Sequence, residues 1–269
     1  MTHSRGSRPL TSCTSARGDG IGEDACSRSG QGRRRTMATA YARKMDGAVA
    51  AVSPLVREHG FKKQRHRFNA EPEPGMMQVA TFQMGAHQPP RTAEIPGLRE
   101  NRYGAFTINL GLHFEEVREL PKRSPGAAFL REHGLPVPPP RARPKVLGEG
   151  HCHMTVRLGE LIDGRDTWWT LELHHDELES LVHELIADYA LPFIKRFNSR
   201  EALLSAWHGG DPTARFTPPF TIAVVHARRG ETAEAEELLA AELGESEHQA
   251  AKQEIIDAAE HLGLRIAQA

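Results

Sequence analysis

The chain has 269 residues, of which 39% are apolar, 26% charged and only 6% aromatic, and its formal net charge at pH 7 is -1. This composition is typical of a globular protein with one or two domains. The longest purely apolar run has five residues, 48–52, whereas a membrane-spanning helix needs about 20. Membrane, fibrous and disulfide-framework proteins are therefore excluded, and we expect no membrane partner.

The charges are unevenly distributed along the chain. Residues 1–36 contain seven arginines and three acidic residues, so the remaining residues carry a net negative charge. Because phosphate binding needs a basic field, an acidic body argues against nucleic acid as a partner. The three cysteines, Cys13, Cys26 and Cys152, form no CxxC pair, which fits a protein of the reducing cytoplasm.

The N-terminal segment 1–36 is rich in serine, glycine and arginine and contains no aromatic residue. Such a segment cannot bury enough apolar surface to order itself, so we expect a disordered tail. Met37 opens the first helical pattern. An alternative is therefore that translation begins at Met37 and that the tail is a misassigned upstream segment.

Hydrophobic periodicity predicts the elements that follow. A helix is expected over 38–59, with an apolar stripe every three or four residues and Gly60 after its end. Alternating patterns then predict five strands, at 61–69, 76–84, 103–114, 151–158 and 168–175. Proline-rich loops are expected at 85–102 and 121–149, and helices at 176–197, where Pro192 should cause an interruption, and at 200–207.

The order of these elements indicates an α+β fold. Turns rather than crossover helices join the early strands, which favours an antiparallel sheet. We predict about five strands packed on the two main helices, with a helical C-terminal appendage. The predicted domains are the tail at 1–36, the α+β domain at 37–210 and the appendage at 211–269.

Several short motifs occur in a defined order over roughly residues 40–207. They are GFKK at 60–63, Phe68, VATFQ at 79–83, FTINLG at 106–111, CH at 152–153, RLG at 157–159, Asp166, WW at 168–169 and ALPF at 190–193. This set resembles the bacterial family known as domain of unknown function 4304. The resemblance implies a domain boundary and a fold, but it brings no activity with it.

Residues 222–243 resemble half of a tetratricopeptide repeat. The small residues Ala223, Gly230 and Ala235, with Leu239, have the spacing that such a helix–turn–helix uses. One repeat cannot bury its own face. The alternative is an ordinary helical hairpin that caps the domain.

The most distinctive local motif is His151-Cys152-His153. Alternate residues of a strand share a face, so the two histidines belong to the polar face of the fourth predicted strand. If the fourth and fifth strands pair as a hairpin with their apolar faces together, Met154 lies opposite Leu171.

This register places His153 opposite Glu172 and His151 opposite His174. Three imidazoles and a carboxylate can hold Zn²⁺, Mn²⁺ or Fe²⁺ with one open position. We therefore name these four residues as a candidate divalent-metal site. The alternative is a polar face with ordinary hydrogen bonds.

The same register places Arg157 opposite Trp168, as a cation–π pair. The guanidinium could also bind a carboxylate or phosphate, which makes the two residues a candidate ligand-binding pair. The alternative is a structural contact that holds the hairpin together.

The strongest basic run in the body is 62–67, KKQRHR. It has no interleaved aromatic residues of the kind that stack on nucleic-acid bases. We interpret it as an edge strand that its charges protect from aggregation.

Two functions remain open at this point. Because no complete catalytic motif is present and no cofactor is expected, the first is a non-catalytic binding module, with a protein as one expected partner. The second is a small-molecule or metal-dependent enzyme centred on the four candidate metal ligands. The two are distinguished by whether those side chains converge in a concave pocket.

Overall fold

The computed structural model describes residues 25–86, 94–95, 100–120, 134 and 144–266. The predicted α+β class is confirmed, because an antiparallel sheet of six strands is combined with helices that dominate the C-terminal part. Residues 41–269 form one compact unit and residues 1–40 another. Residues 1–24 of the predicted tail and most of the two proline-rich loops lie outside the described residues, whereas residues 25–36 of the tail are part of the first helix, which begins before its expected start at residue 38.

The strands of the sheet are β1 Lys62–Gln64, β2 Arg67–Glu73, β3 Met76–Met84, β4 Ala105–Phe114, β5 Met154–Arg157 and β6 Trp169–Thr170. The first four form an antiparallel meander in chain order, and both β5 and β6 pair with β4. The predicted strand at 61–69 is in fact two strands. A turn separates them, in which Arg65 adopts a positive φ of 53°.

The helices are α1 Ala25–Glu58, α2 Glu115–Arg118, α3 Leu158–Asp163, α4 His175–Glu184, α5 Leu191–Arg196, α6 Arg200–His208, α7 Pro219–Arg229, α8 Thr232–Glu245 and α9 Gln249–Leu262. A 3₁₀ segment covers Glu149–His151. No helix in the described ranges is long and apolar enough to cross a membrane.

One face of the sheet is apolar and forms the main core. Ala80 lies opposite Leu110 and Phe82 opposite Ile108 across β3 and β4, and all four are buried. The predicted stripe of α1 belongs to the same core cluster: Met45, Val49, Val52 and Val56 are at most 3% exposed. Burying these side chains supplies the main driving force for holding helix and sheet together.

The second long helix contains the predicted interruption at Pro192. A π-helical segment, Leu185–Ala190, separates α4 from α5, and Pro192 is the second residue of α5. Proline has no N–H to donate and its ring crowds the preceding turn, so a wider turn accommodates it. Gln78 of β3 donates hydrogen bonds to the backbone oxygens of Ile194 and Phe197, which secures the end of α5 to the sheet.

The C-terminal helices contribute to the main core as well as to a smaller one. Ile222 and Val224 of α7 and Ala258 of α9 lie in the main cluster, whereas Leu239 of α8 lies in the second. Gly230, with φ of +85°, ends α7 and opens the turn into α8.

The predicted hairpin between 151–158 and 168–175 is wrong. β5 pairs with residues 109–112 of β4 and β6 pairs with residues 105–106 of the same strand, so β5 and β6 lie end to end along one edge. The physical reason is α3, which begins directly after Arg157 and carries the chain along β4. Glu160 accepts a hydrogen bond from the Arg157 backbone N–H, the capping pattern that starts a helix.

Candidate functional site

The second face of the sheet is polar, and one row of residues crosses it over four strands. Arg67 lies opposite Thr81, Thr81 opposite Asn109 and Asn109 opposite Arg157. We call these four residues the polar row. Since neighbouring strands lie about 4.8 Å apart, the two arginines are separated by roughly 14 Å across the sheet.

The middle of the polar row is buried although it is hydrophilic. Thr81 and Asn109 are each 5% exposed. Asn109 Nδ2 donates a hydrogen bond to Gln83 Oε1 at 2.8 Å. Thr81 Oγ1 is buried and has no hydrogen-bond partner among the described residues. Buried polar atoms are paired in the great majority of cases, so this hydroxyl marks an unusual position.

Two cavities adjoin the polar row and share Gln83 and Glu149 in their linings. The larger has a volume of about 770 Å³ and contacts Arg67 and Thr81. The smaller has a volume of about 670 Å³ and contacts Asn109 and Arg157, together with Phe216 near the start of the C-terminal helices. The polar row therefore lies beside two cavities that have Gln83 and Glu149 in common.

Glu149 lies where the two cavities meet. Its Oε2 atom is buried and, like Thr81 Oγ1, lacks a hydrogen-bond partner within the described part of the chain. Glu149 belongs to the 3₁₀ segment, whose position follows from contacts with the sheet. Asn69 binds the backbone of Leu147, and His113 Nδ1 donates to the His151 carbonyl oxygen at 2.6 Å.

Two glycines allow the segment 147–153 to lie close to the sheet. A Cβ added at Gly111 of β4 would lie 2.6 Å from Cys152 Sγ, and one at Gly148 would lie 3.2 Å from the Arg67 guanidinium carbon. Any larger residue at 111 would push the segment outward. These positions explain why Glu149 can reach the cavities.

A histidine–carboxylate contact lies at one edge of the larger cavity. His66 Nε2 lies 2.7 Å from Asp46 Oδ1, which α1 supplies. Arg65, with its positive φ, lines the same edge. A non-glycine residue in this conformation costs of order 1 kcal/mol, and such residues are enriched at functional sites.

Cys152 lies in the segment 147–153 and packs against the sheet, and its thiol has low reactivity. Burial, together with the nearby Glu149 carboxylate, raises the pKa of the Cys152 thiol to about 12. Because the thiolate is the nucleophile, a thiol that stays protonated at neutral pH is a poor one.

The predicted metal site is not assembled. The backbone N–H of His153 donates to Leu112 O, whereas that of Leu171, next to Glu172, donates to Gly104 O. Gly104, just before β4, and Leu112 within it are eight positions apart along extended chain, which corresponds to roughly 27 Å. Within the described ranges no group of three or more His, Cys, Asp or Glu side chains is placed to hold a metal ion.

Each of the four residues has its own surroundings instead. His153 stacks on His113 with ring centroids 4.9 Å apart, and its Nδ1 accepts a hydrogen bond from the Phe114 N–H. Glu172 accepts one from the Tyr41 hydroxyl. The exposed His151 and His174 lie in the 3₁₀ segment and before α4, respectively.

The structure does bring Arg157 and Trp168 together, but through α3 and the loop that follows it rather than through a hairpin. The guanidinium carbons of Arg157 and Arg102 lie 5.6 and 5.3 Å from the Trp168 ring. Asp166 joins the group, because its Oδ2 lies 2.6 Å from Arg157 Nη1 and its Oδ1 accepts from Trp168 Nε1. This network fixes Arg157 at the end of the polar row, while a ligand-binding role of the pair stays a prediction.

Sequence reasoning missed Thr81, Gln83, Asn109 and Glu149. A signal for the first three was present, since polar residues alternate with apolar ones along β3 and β4 and so share a face. Glu149 had no such signal, because its position depends on contacts with residues far away in the chain. Comparisons of the chain with family models, with curated proteins and with solved structures found no match.

Proposed function

We propose that this protein is a non-catalytic binding module in which the polar face of the sheet holds a small hydrophilic ligand. The observation that carries the proposal is a pair of buried oxygens at the larger cavity, Thr81 Oγ1 and Glu149 Oε2, neither of which has a hydrogen-bond partner among the residues that the structure describes. An unsatisfied buried polar group costs about 1–3 kcal/mol. A ligand that forms the missing hydrogen bonds recovers this free energy on binding.

The lining defines the chemistry of the ligand. The Glu149 carboxylate only accepts hydrogen bonds, whereas the Thr81 hydroxyl can donate or accept and the Arg67 guanidinium only donates. A matching molecule therefore carries hydroxyl or N–H groups as well as acceptor oxygens. Cationic and anionic side chains line the same cavity, so we favour a neutral or zwitterionic compound.

A small ligand is favoured over a protein partner by the shape of this surface. The hydrogen-bonding groups lie inside cavities, whereas the centre of a protein–protein interface is usually apolar and depleted of charge. The enzyme alternative is less favoured, because the four residues on which it was centred lie apart from one another in the described part of the chain.

The resemblance to the domain of unknown function 4304 family remains our proposal for residues 40–207, and a half tetratricopeptide repeat remains one for 222–243. The first is supported by the position of the family-like motifs in β3 and β4. The second is supported by the α7–α8 hairpin with its turn at Gly230. The free thiol of Cys152 supports a reducing cytoplasm as the site of action.

Binding can be tested by NMR with the ¹⁵N-labelled full chain and a set of neutral and zwitterionic fragments bearing hydroxyl and amide groups. We expect at least one fragment to shift the backbone resonances of Thr81, Asn109 and Gly150. Thr81→Val removes the hydroxyl at nearly constant volume, and we expect it to lower the affinity for that fragment at least fivefold.

Thr170→Val is the matched control, since Thr170 is an exposed threonine of β6 that does not line either cavity. It should leave fragment affinity unchanged. Fragments that bind only elsewhere, or that bind Thr81→Val as well as the wild type, would contradict the proposal.

A further inference from the structure

We propose that His208 and His226 form a pair of adjacent nitrogen ligands for a divalent transition-metal ion of the Ni²⁺ or Cu²⁺ type. His208 is the last residue of α6 and His226 lies in the last turn of α7. Their Nε2 atoms are 3.0 Å apart. Two imidazole nitrogens that face each other at this distance share either a proton or a metal ion.

The buried member of the pair has the hydrogen-bonding partner that a ligating histidine requires. His226 is 3% exposed, and its Nδ1 lies 2.6 Å from Glu231 Oε2. A carboxylate oxygen only accepts, so Nδ1 carries the hydrogen and the lone pair of a neutral imidazole lies on Nε2. A carboxylate behind the second ring nitrogen is the arrangement that orients metal-bound histidines.

Glu231 is held in place by a second side chain. Arg229 Nε donates to Glu231 Oε1 at 2.9 Å. The chain Arg229–Glu231–His226 thus fixes the tautomer that directs Nε2 toward His208.

The distance favours one coordination geometry. With metal–nitrogen bonds of about 2.0–2.1 Å, a separation of 3.0 Å corresponds to a nitrogen–metal–nitrogen angle of about 95°. Adjacent positions of a square-planar or octahedral ion have this angle, and imidazole suits Ni²⁺ and Cu²⁺. A tetrahedral Zn²⁺ ion would need the nitrogens roughly 3.3 Å apart.

The remaining coordination positions are open to water. His208 is exposed, and within the described ranges no third histidine, cysteine or carboxylate completes a group of three around any ion. When a metal binds, His208 must present its Nε2 lone pair, so its hydrogen moves to Nδ1 by exchange with solvent. The result is an exchangeable two-histidine site at the junction of α6 and α7.

Calorimetric titration of the full chain with NiCl₂ tests the proposal. The chain has 15 histidines, so the informative quantity is the difference between variants. His208→Ala and His208→Gln should each lower the affinity for one bound Ni²⁺ ion at least tenfold. Glu231→Gln should lower the affinity for the same Ni²⁺ ion about tenfold, because replacing a residue that hydrogen-bonds to a ligating histidine has an effect of this size.

His183→Ala is the control, since His183 is an exposed histidine of α4 outside the pair. It should bind Ni²⁺ like the wild type. Electron paramagnetic resonance of the Cu²⁺-loaded protein adds a readout on the wild type itself, and we expect coupling to two imidazole nitrogens that is lost in His208→Gln. If His208→Gln retains Ni²⁺ affinity and the Cu²⁺ spectrum, the contact is a hydrogen bond only and the proposal is wrong.

Discussion

Asn69 in β2 holds the backbone of Leu147, which lies 78 residues away in the chain, by two buried hydrogen bonds. Its Nδ2 donates to Leu147 O at 3.1 Å, and the Leu147 N–H donates to Asn69 Oδ1 at 2.8 Å. This pairing imitates the two bonds of an antiparallel strand pair. It therefore positions the segment that carries Glu149 over the polar row.

Asn69→Ala should lower the free energy of unfolding by about 2–3 kcal/mol, because two hydrogen bonds are lost and the buried Leu147 groups are left unpaired. Urea unfolding measures the change. The matched control is Asn198→Ala at an exposed position, which should stay within about 0.5 kcal/mol of the wild type. Equal stability of the two variants would show that the segment does not depend on this contact.

Gly111→Ala should be destabilising by about 1–3 kcal/mol, since the new methyl group would overlap Cys152 Sγ and the Met154 carbonyl oxygen and force the segment off the sheet. Gly150→Ala, in the same region, meets nothing within 4 Å and should be neutral or slightly stabilising. Thermal unfolding of the two variants provides the comparison. A smaller loss for Gly111→Ala than for Gly150→Ala would contradict the close approach.

The Cys152 thiol predicts a specific dependence of stability on pH. Its pKa is raised to about 12 in the folded protein, against about 8.5 in an unfolded chain. Above about pH 8.5 the unfolded state gains free energy by ionising while the folded state does not. The thiol's contribution is therefore complete at lower pH and is lost between about pH 8.5 and 12.

Urea unfolding of the wild type and of Cys152→Ala between pH 7 and 11 isolates this effect, because the other titrating groups are common to both. The stability difference between them should be constant up to about pH 8 and then decrease by up to about 1.4 kcal/mol per pH unit. A difference that does not change with pH would mean that the thiol ionises freely in the folded protein.

The sequence could predict the class of the fold and most of its elements, because burial imposes periodicity. The stripe Met45, Val49, Val52 and Val56 followed a helical period and is buried as expected. The strands β3 and β4 occur within a few residues of their predicted ends. These patterns are local, and a local pattern can be read from the chain alone.

The candidate site could not be predicted in the same way, because strand pairing depends on contacts between residues that are far apart in the chain. The alternation around His153 was recognised, but which strand would lie beside it depended on α3. Glu160 and Gly164, at the two ends of α3, were the available signals for a helix at that point. With them, a helix between the two strands is expected, which argues against a direct hairpin of β5 and β6.

The arrangement of β5 and β6 also affects whether copies of this protein can associate through their sheet edges. Together they make up one edge of the sheet, but they contain only four and two residues. Within the part of the chain that the structure describes, an interrupted border of this kind offers no long row of free backbone groups on which another chain could add a strand. On this side, the fold has a built-in barrier to the edge-to-edge growth from which fibrils start.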